Sequence, residues 1–204
     1  MPRPRSLTSA DLSSAALAVI DRGGLPALTM RAVAEELDMA TMALYRYVAD
    51  RDALEALVVE QILGGIDTSM PADADWRTRL AILLDRMRAA VAAHPAVAPL
   101  VPRHRHASAA ALRWMDATLA ALADGGFEGR ERVIAQRTLV AFLLGYLENE
   151  HYAAIGGPGT AAIAAIAPGR YPYLVAAATQ ARDISPEEEF RGGVEILLRG
   201  LTEH

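Results

Sequence analysis

Thr29-Met-Arg-Ala-Val-Ala-Glu-Glu-Leu-Asp-Met-Ala-Thr-Met-Ala-Leu-Tyr-Arg-Tyr-Val48 has the spacing of two short helices joined by a tight turn. Thr29 suits an N-cap, because its hydroxyl can accept from a free N–H of the first turn. Val33 and Leu37 recur four apart and share one helical face. Asp38-Met39 breaks that pattern. A second helix is expected from about Ala40 to Tyr47, with Leu44 and Val48 on its inner face. Ala34 falls where the two helices would cross, and its small side chain permits close approach. This is the pattern of a helix-turn-helix.

The outer face of the second helix is not core material. Thr41, Met42, Ala43, Tyr45, Arg46 and Tyr47 offer a hydroxyl, small or flexible apolar groups, two phenols and a guanidinium. Such a set can reach base edges and phosphates when a helix N-terminus enters a major groove. The alternative is a surface helix whose aromatic residues pack on neighbours.

The flanks favour the first reading. An amphipathic helix ends at Gly23-Gly24, and Ala-Asp-Arg-Asp-Ala-Leu54 leads into another. Here the chain resembles the TetR family of bacterial transcriptional repressors. The likeness is carried by Gly23, Leu28-Thr29, Arg31, Ala34, Leu37, Leu44-Tyr45, Val48, Arg51 and Leu54. The family's turn usually carries glycine where this chain has Asp38, and Asp tolerates a left-handed backbone better than most side chains. The resemblance implies contacts to double-stranded DNA by Met30, Arg31, Thr41, Met42, Ala43, Tyr45, Arg46, Tyr47 and Arg51. It also implies a homodimer on a palindromic operator and an unknown small-molecule effector.

Composition agrees with an all-α fold. The chain has 204 residues, 52% of them hydrophobic, and no cysteine. Alanine is abundant, β-branched runs are rare, and no stretch alternates as a half-buried strand does. Without cysteine there is neither a disulfide nor a thiolate metal site. The longest apolar run, Leu139 to Leu147, is far short of the ~20 residues of a membrane span. Pro2-Arg3-Pro4-Arg5 is not followed by an apolar leader core, so a cytoplasmic protein is expected. Arg3 and Arg5 can form an arm entering a minor groove, or a solvated tail.

The net charge is −5, which alone argues against nucleic acid. Affinity depends, however, on cations placed at phosphates rather than on the average. Glu35, Glu36, Glu55 and Glu60 can point elsewhere. The chain has no lysine, so every cationic contact falls to Arg or His. Arginine can hold a phosphate bidentately.

Two domains are expected, an N-terminal three-helix helix-turn-helix domain over 1–66 and a helical dimerisation and ligand-binding domain over 67–204. Thr8-x-x-Asp11 resembles a capping box for a first helix from Ser9 to Arg22. Asp50 would cap the fourth helix. In the body, helices are expected over 76–93, 108–123, 131–152 and 171–181. Short turns cover 96–105, and a Gly/Pro segment with room for a short helix covers 155–170. Ser185, Pro186 and three glutamates open the last helix, with Pro at the first position and acids at the positive end of the dipole.

Body residues that can line an effector pocket are Met87, His104, His106, Trp114, Glu148 and His151. Arg103-His104-Arg105-His106 can hold an anion, or, with Glu148 and His151, a metal; the alternative is a solvated basic turn. No metal site and no cofactor is assigned. The body resembles that of tetracycline-type repressors in Leu144–Glu148 and Gly193–Leu201. Leu83 and Val101 stand where that resemblance calls for polar groups, so tetracycline is not the implied ligand. An enzyme is not expected: the chain lacks Gly-x-Ser-x-Gly, His-Glu-x-x-His, a phosphate loop and Gly-x-Gly-x-x-Gly.

Overall fold

A computed structural model describes residues 7–167 and 169–201. The arm at Arg3 and Arg5 lies outside them. The helices in order are α1 (Ser9–Gly23), α2 (Met30–Glu36), α3 (Thr41–Leu44), α4 (Arg51–Gly64), α5 (Trp76–Ala92), α6 (Val101–His104), α7 (Ala109–Asp124), α8 (Gly129–Tyr152), α9 (Pro158–Ala164), α10 (Pro172–Ala181) and α11 (Pro186–Gly200). Two 3₁₀ segments, Leu25–Ala27 and Pro95–Leu100, complete the regular structure. No strand occurs among the described residues.

The chain divides into two compact units. One holds residues up to Ser69 together with Ala89–Ala117; the other holds Met70–Arg88 and the residues from Thr118 onward. The first unit thus takes in more chain than residues 1–66.

In the first unit, α1 packs on α4 and α2, and α2 packs on α3. Leu12, Ala16, Val19 and Ile20 of α1 are buried, as are Leu54, Val58 and Ile62 of α4. Their i, i+4 spacing makes one apolar stripe per helix, and joining the stripes removes both from water. Thr8 and Asp11 form the capping box, with the Thr8 N–H donating to the Asp11 carboxylate at 2.8 Å. The chain leaves α1 by a close approach: a Cβ on Gly23 would meet that of Ala27 at 2.6 Å.

In the second unit, α5 buries Leu80, Leu83 and Leu84, and Trp76 meets the Phe127 ring edge-on at 5.3 Å. Phe142 and Tyr146 of α8 cluster with Phe190 of α11, at centroid distances of 5.7 and 4.8 Å. Gly193 lets α11 approach this cluster, because a Cβ there would stand 2.7 Å from the Phe142 ring. Arg88 and Glu150 form a largely buried ion pair at 2.5 Å, leaving Arg88 Nε and Glu150 Oε2 without a hydrogen-bond partner among the described residues. The Gly/Pro segment does contain a helix, α9, with Pro158 at its first position, and α10 packs on it.

Candidate nucleic-acid interface

The helix-turn-helix is built from local rules outward. The Thr29 hydroxyl accepts from the Ala32 N–H at 3.0 Å and fixes the start of α2. Val33 and Ala34 are fully buried. The turn is made by Asp38, at φ 50°, the one non-glycine residue with positive φ among those described. Met39 N–H then closes on the Ala34 carbonyl at 2.9 Å. The departure from glycine at this turn therefore keeps the left-handed backbone.

Helix α3 is shorter than expected. It ends at Leu44, and the chain continues to Tyr47 in successive i, i+3 turns, Arg46 N–H to Ala43 O at 3.2 Å and Tyr47 N–H to Leu44 O at 2.9 Å. Tight i, i+3 bonds are a common way to close the last turn of a helix. Leu44 is fully buried and Val48 nearly so, and they hold the segment from beneath. What remains outside is Met42 at 77% exposure, Tyr45 at 46%, Tyr47 at 45% and Arg46. Thr41, Ala43 and Met30 are half-buried. A contiguous exposed patch of methionine and tyrosines beside a guanidinium is the kind of surface that marks an interaction site.

The cations differ in their commitments. The Arg46 side chain makes no hydrogen bond or ion pair among the described residues. Arg31 is exposed, but its Nε donates to Glu35 at 2.8 Å. That bond, and the charge of Glu35, push the Arg31 guanidinium above its ordinary range. Arg51 donates from Nε to Glu55 at 2.8 Å and from a terminal nitrogen to the Leu25 carbonyl at 3.1 Å. Hence the acids do not all point elsewhere. Glu35 and Glu55 lie four residues after Arg31 and Arg51, the spacing that brings side chains together on a helix. Glu36 holds Arg22 across to α1, with one bond at 3.2 Å, and that hydrogen bond lowers the Glu36 carboxyl below its usual range. Glu60 accepts from the Ser108 hydroxyl at 2.5 Å.

The effector candidates fall into both units. His104, His106 and Trp114 belong to the first; Met87, Glu148 and His151 belong to the second. His104 is not solvated: it is buried, and its Nε2 lies 3.2 Å from Glu55 Oε2. His106 is exposed and Trp114 is buried. Met87 is buried, Glu148 is exposed, and His151 is half-buried with its ring edge-on to Tyr152 at 4.4 Å. Glu55 and Glu150 are the inward-turned acids that sequence reasoning passed over. A signal for Glu55 was present, since it precedes Val59 and Leu63 by four and eight residues on a buried stripe.

A helix-turn-helix with an uncovered face of phenols and a guanidinium, in an all-helical chain, defines a DNA-binding transcriptional regulator. Residues 12–56 match the family of bacterial regulatory proteins, tetR family, and residues 70–204 match the tetracyclin repressor-like C-terminal domain. The chain belongs to the tetR family of bacterial regulatory proteins. It is 31% identical to the tetracycline repressor protein class A from transposon 1721 of Escherichia coli, across 92% of this chain and 87% of that one. It is 29% identical to an HTH-type transcriptional regulator of Saccharopolyspora erythraea, over 71% of this chain and 61% of the relative, so it spans less than two thirds of that protein. A crystal structure of a possible TetR family transcriptional regulator from Streptomyces coelicolor A3(2) superposes with a TM-score of 0.86 at 30% identity, covering 95% of this chain and 98% of that one.

Proposed function

We propose that this protein is a dimeric repressor that holds a palindromic operator and is released from it by a small molecule bound in the C-terminal region. The observation that carries the reading is the uncovered face over 41–47, fixed from beneath by Leu44 and Val48. Thr41, Met42, Ala43 and Tyr45 are assigned to base edges. Met30, Arg31, Arg46, Tyr47 and Arg51 are assigned to the backbone, where contacts position the protein without reading sequence. Residues 1–66 carry this work, and residues 67–204 dimerise and bind the effector.

One short helix reads few bases, and two such helices at the spacing of a helical turn read a palindrome. Val133, Ile134 and Ile196 support a dimer: these residues of α8 and α11 are each more than half exposed in the single chain. A two-fold interface would cover them. Met87, His104, His106, Trp114, Glu148 and His151 are the candidates for effector contact. The polar pattern for tetracycline is lacking, because Leu83 and Val101 are buried apolar residues. No helix among the described residues is long and apolar enough to cross a membrane, and the proposed place of work is the cytoplasm, with its DNA. No catalytic role is assigned.

The test is a titration of operator DNA with the full chain and with Tyr45→Ala, beside sedimentation of both. The reading expects a dimer in each case and an affinity loss confined to the cognate sequence in the variant. Equal affinities on cognate DNA would remove Tyr45 from the reading face.

A further inference from the structure

We propose that Asp52, Glu55 and His104 form a binding site for a divalent transition-metal ion such as Zn²⁺. All three lie in the first compact unit. Asp52 and Glu55 are three residues apart on α4, a spacing that places both carboxylates on one face. His104 comes from α6. One oxygen of each carboxylate and an imidazole nitrogen lie within 4.8 Å of one another. His104 Nε2 stands 3.2 Å from Glu55 Oε2 and 3.8 Å from Asp52 Oδ1. Two ligand atoms at zinc bond lengths in tetrahedral geometry are about 3.4 Å apart. The two measured separations bracket that value. Asp52 is 72% exposed and can rotate to close the third.

The donor set is selective. One imidazole with two carboxylates suits Zn²⁺, Co²⁺, Mn²⁺ or Ni²⁺ better than Mg²⁺ or Ca²⁺, which favour oxygen alone. Glu55 and His104 are more than nine-tenths buried, so their ligand atoms are held. Arg51 takes the other oxygen of Glu55 and orients the carboxylate, the role of an outer partner in metal sites. Arg103 lies 3.2 Å from Glu55 Oε2 and 3.9 Å from Asp52 Oδ1, and its side chain is 58% exposed. It neutralises the same oxygens that an ion would bind, and an incoming ion displaces it toward water. Because Glu55 also holds Arg51, the ion sits one carboxylate from a proposed phosphate contact. That consequence rests on the operator-binding reading; binding of the ion does not.

The test uses Co²⁺ alone as the probe, with the full-length chain, followed by its visible absorption and by calorimetry, and with folding checked by circular dichroism. One ion per chain is expected. Asp52→Asn, at an exposed position, keeps the fold and weakens binding at least about tenfold; His104→Gln does the same. Arg103→Gln strengthens binding about tenfold, because the competing guanidinium is gone. A site that is only an ion-pair network gives no saturable binding at millimolar Co²⁺, or binding indifferent to Asp52→Asn and to Arg103→Gln. Either result overturns the proposal.

Discussion

Replacing Arg46 by Ala separates electrostatic anchoring from the rest of the proposed interface. Of the three arginines on α2, just after α3 and on α4, Arg46 alone has a side chain with no partner among the described residues, whereas Arg31 and Arg51 are paired with Glu35 and Glu55. An unpaired guanidinium loses no internal bond on reaching a phosphate. A hydrogen bond to a charged group contributes about 1.5–3 kcal/mol, so each Arg46 is worth roughly ten- to a hundredfold in affinity. A neutralised phosphate also contributes about 0.9 to the slope of log affinity against log salt, so a dimer loses about 1.8. The assay is operator titration by fluorescence anisotropy at four salt concentrations. Arg46→Ala should weaken binding to cognate and non-cognate DNA alike and flatten the slope. Glu35→Gln should act in the opposite sense, because it frees Arg31 for a second phosphate. An unchanged slope in Arg46→Ala, together with unchanged affinity, would refute the assignment of Arg46 to the backbone.

Three further outcomes follow from the geometry. Asp38→Gly should stabilise the chain by about 0.5–1 kcal/mol in urea unfolding, since relief of a left-handed backbone outweighs the entropy of glycine; Asp38→Val should lower stability. Gly193→Ala should cost about 1–3 kcal/mol in the same assay, because its methyl meets the Phe142 ring. The Tyr146 hydroxyl donates to the Pro186 carbonyl at 2.5 Å, and burial first, then Glu150 and Glu189, push it up to about 12. A group whose folded value is raised gives stability that is complete below its unfolded value near 10 and lost as pH rises toward 12. The stability advantage over Tyr146→Phe, measured by urea midpoints at pH 9 and 11, should therefore shrink at the higher pH.

What was legible in the sequence was local. Thr8, Thr29, Asp50 and Ser185 all cap the helices assigned to them, because a cap needs only a side-chain oxygen and an N–H two or three residues on. The amphipathic character of α1 and α4 was legible too, but the turn of Glu55 into the buried side of α4 was missed. The end of α3 was missed as well, because Tyr45 to Tyr47 keep a helical pattern while closing in i, i+3 turns. The pairing of Arg31 and Arg51 with acids four residues on was open to inspection, yet whether such a pair forms depends on what else competes for the arginine. His104 was the hardest to read. Amid Arg103, Arg105 and His106 it looks solvated, and only the meeting of α6 with α4 places it on Glu55. Non-local packing of that kind leaves no period in the chain.

Two copies of the face over 41–47 are proposed to read a palindrome. Selection of random duplex DNA on the full-length protein, unfolded and refolded to strip any bound effector and then sequenced, tests this. Two inverted half-sites, with centres one helical turn or a multiple of it apart, are the expected result. No enriched sequence from folded, effector-free protein, or a single half-site without a mate, would contradict it.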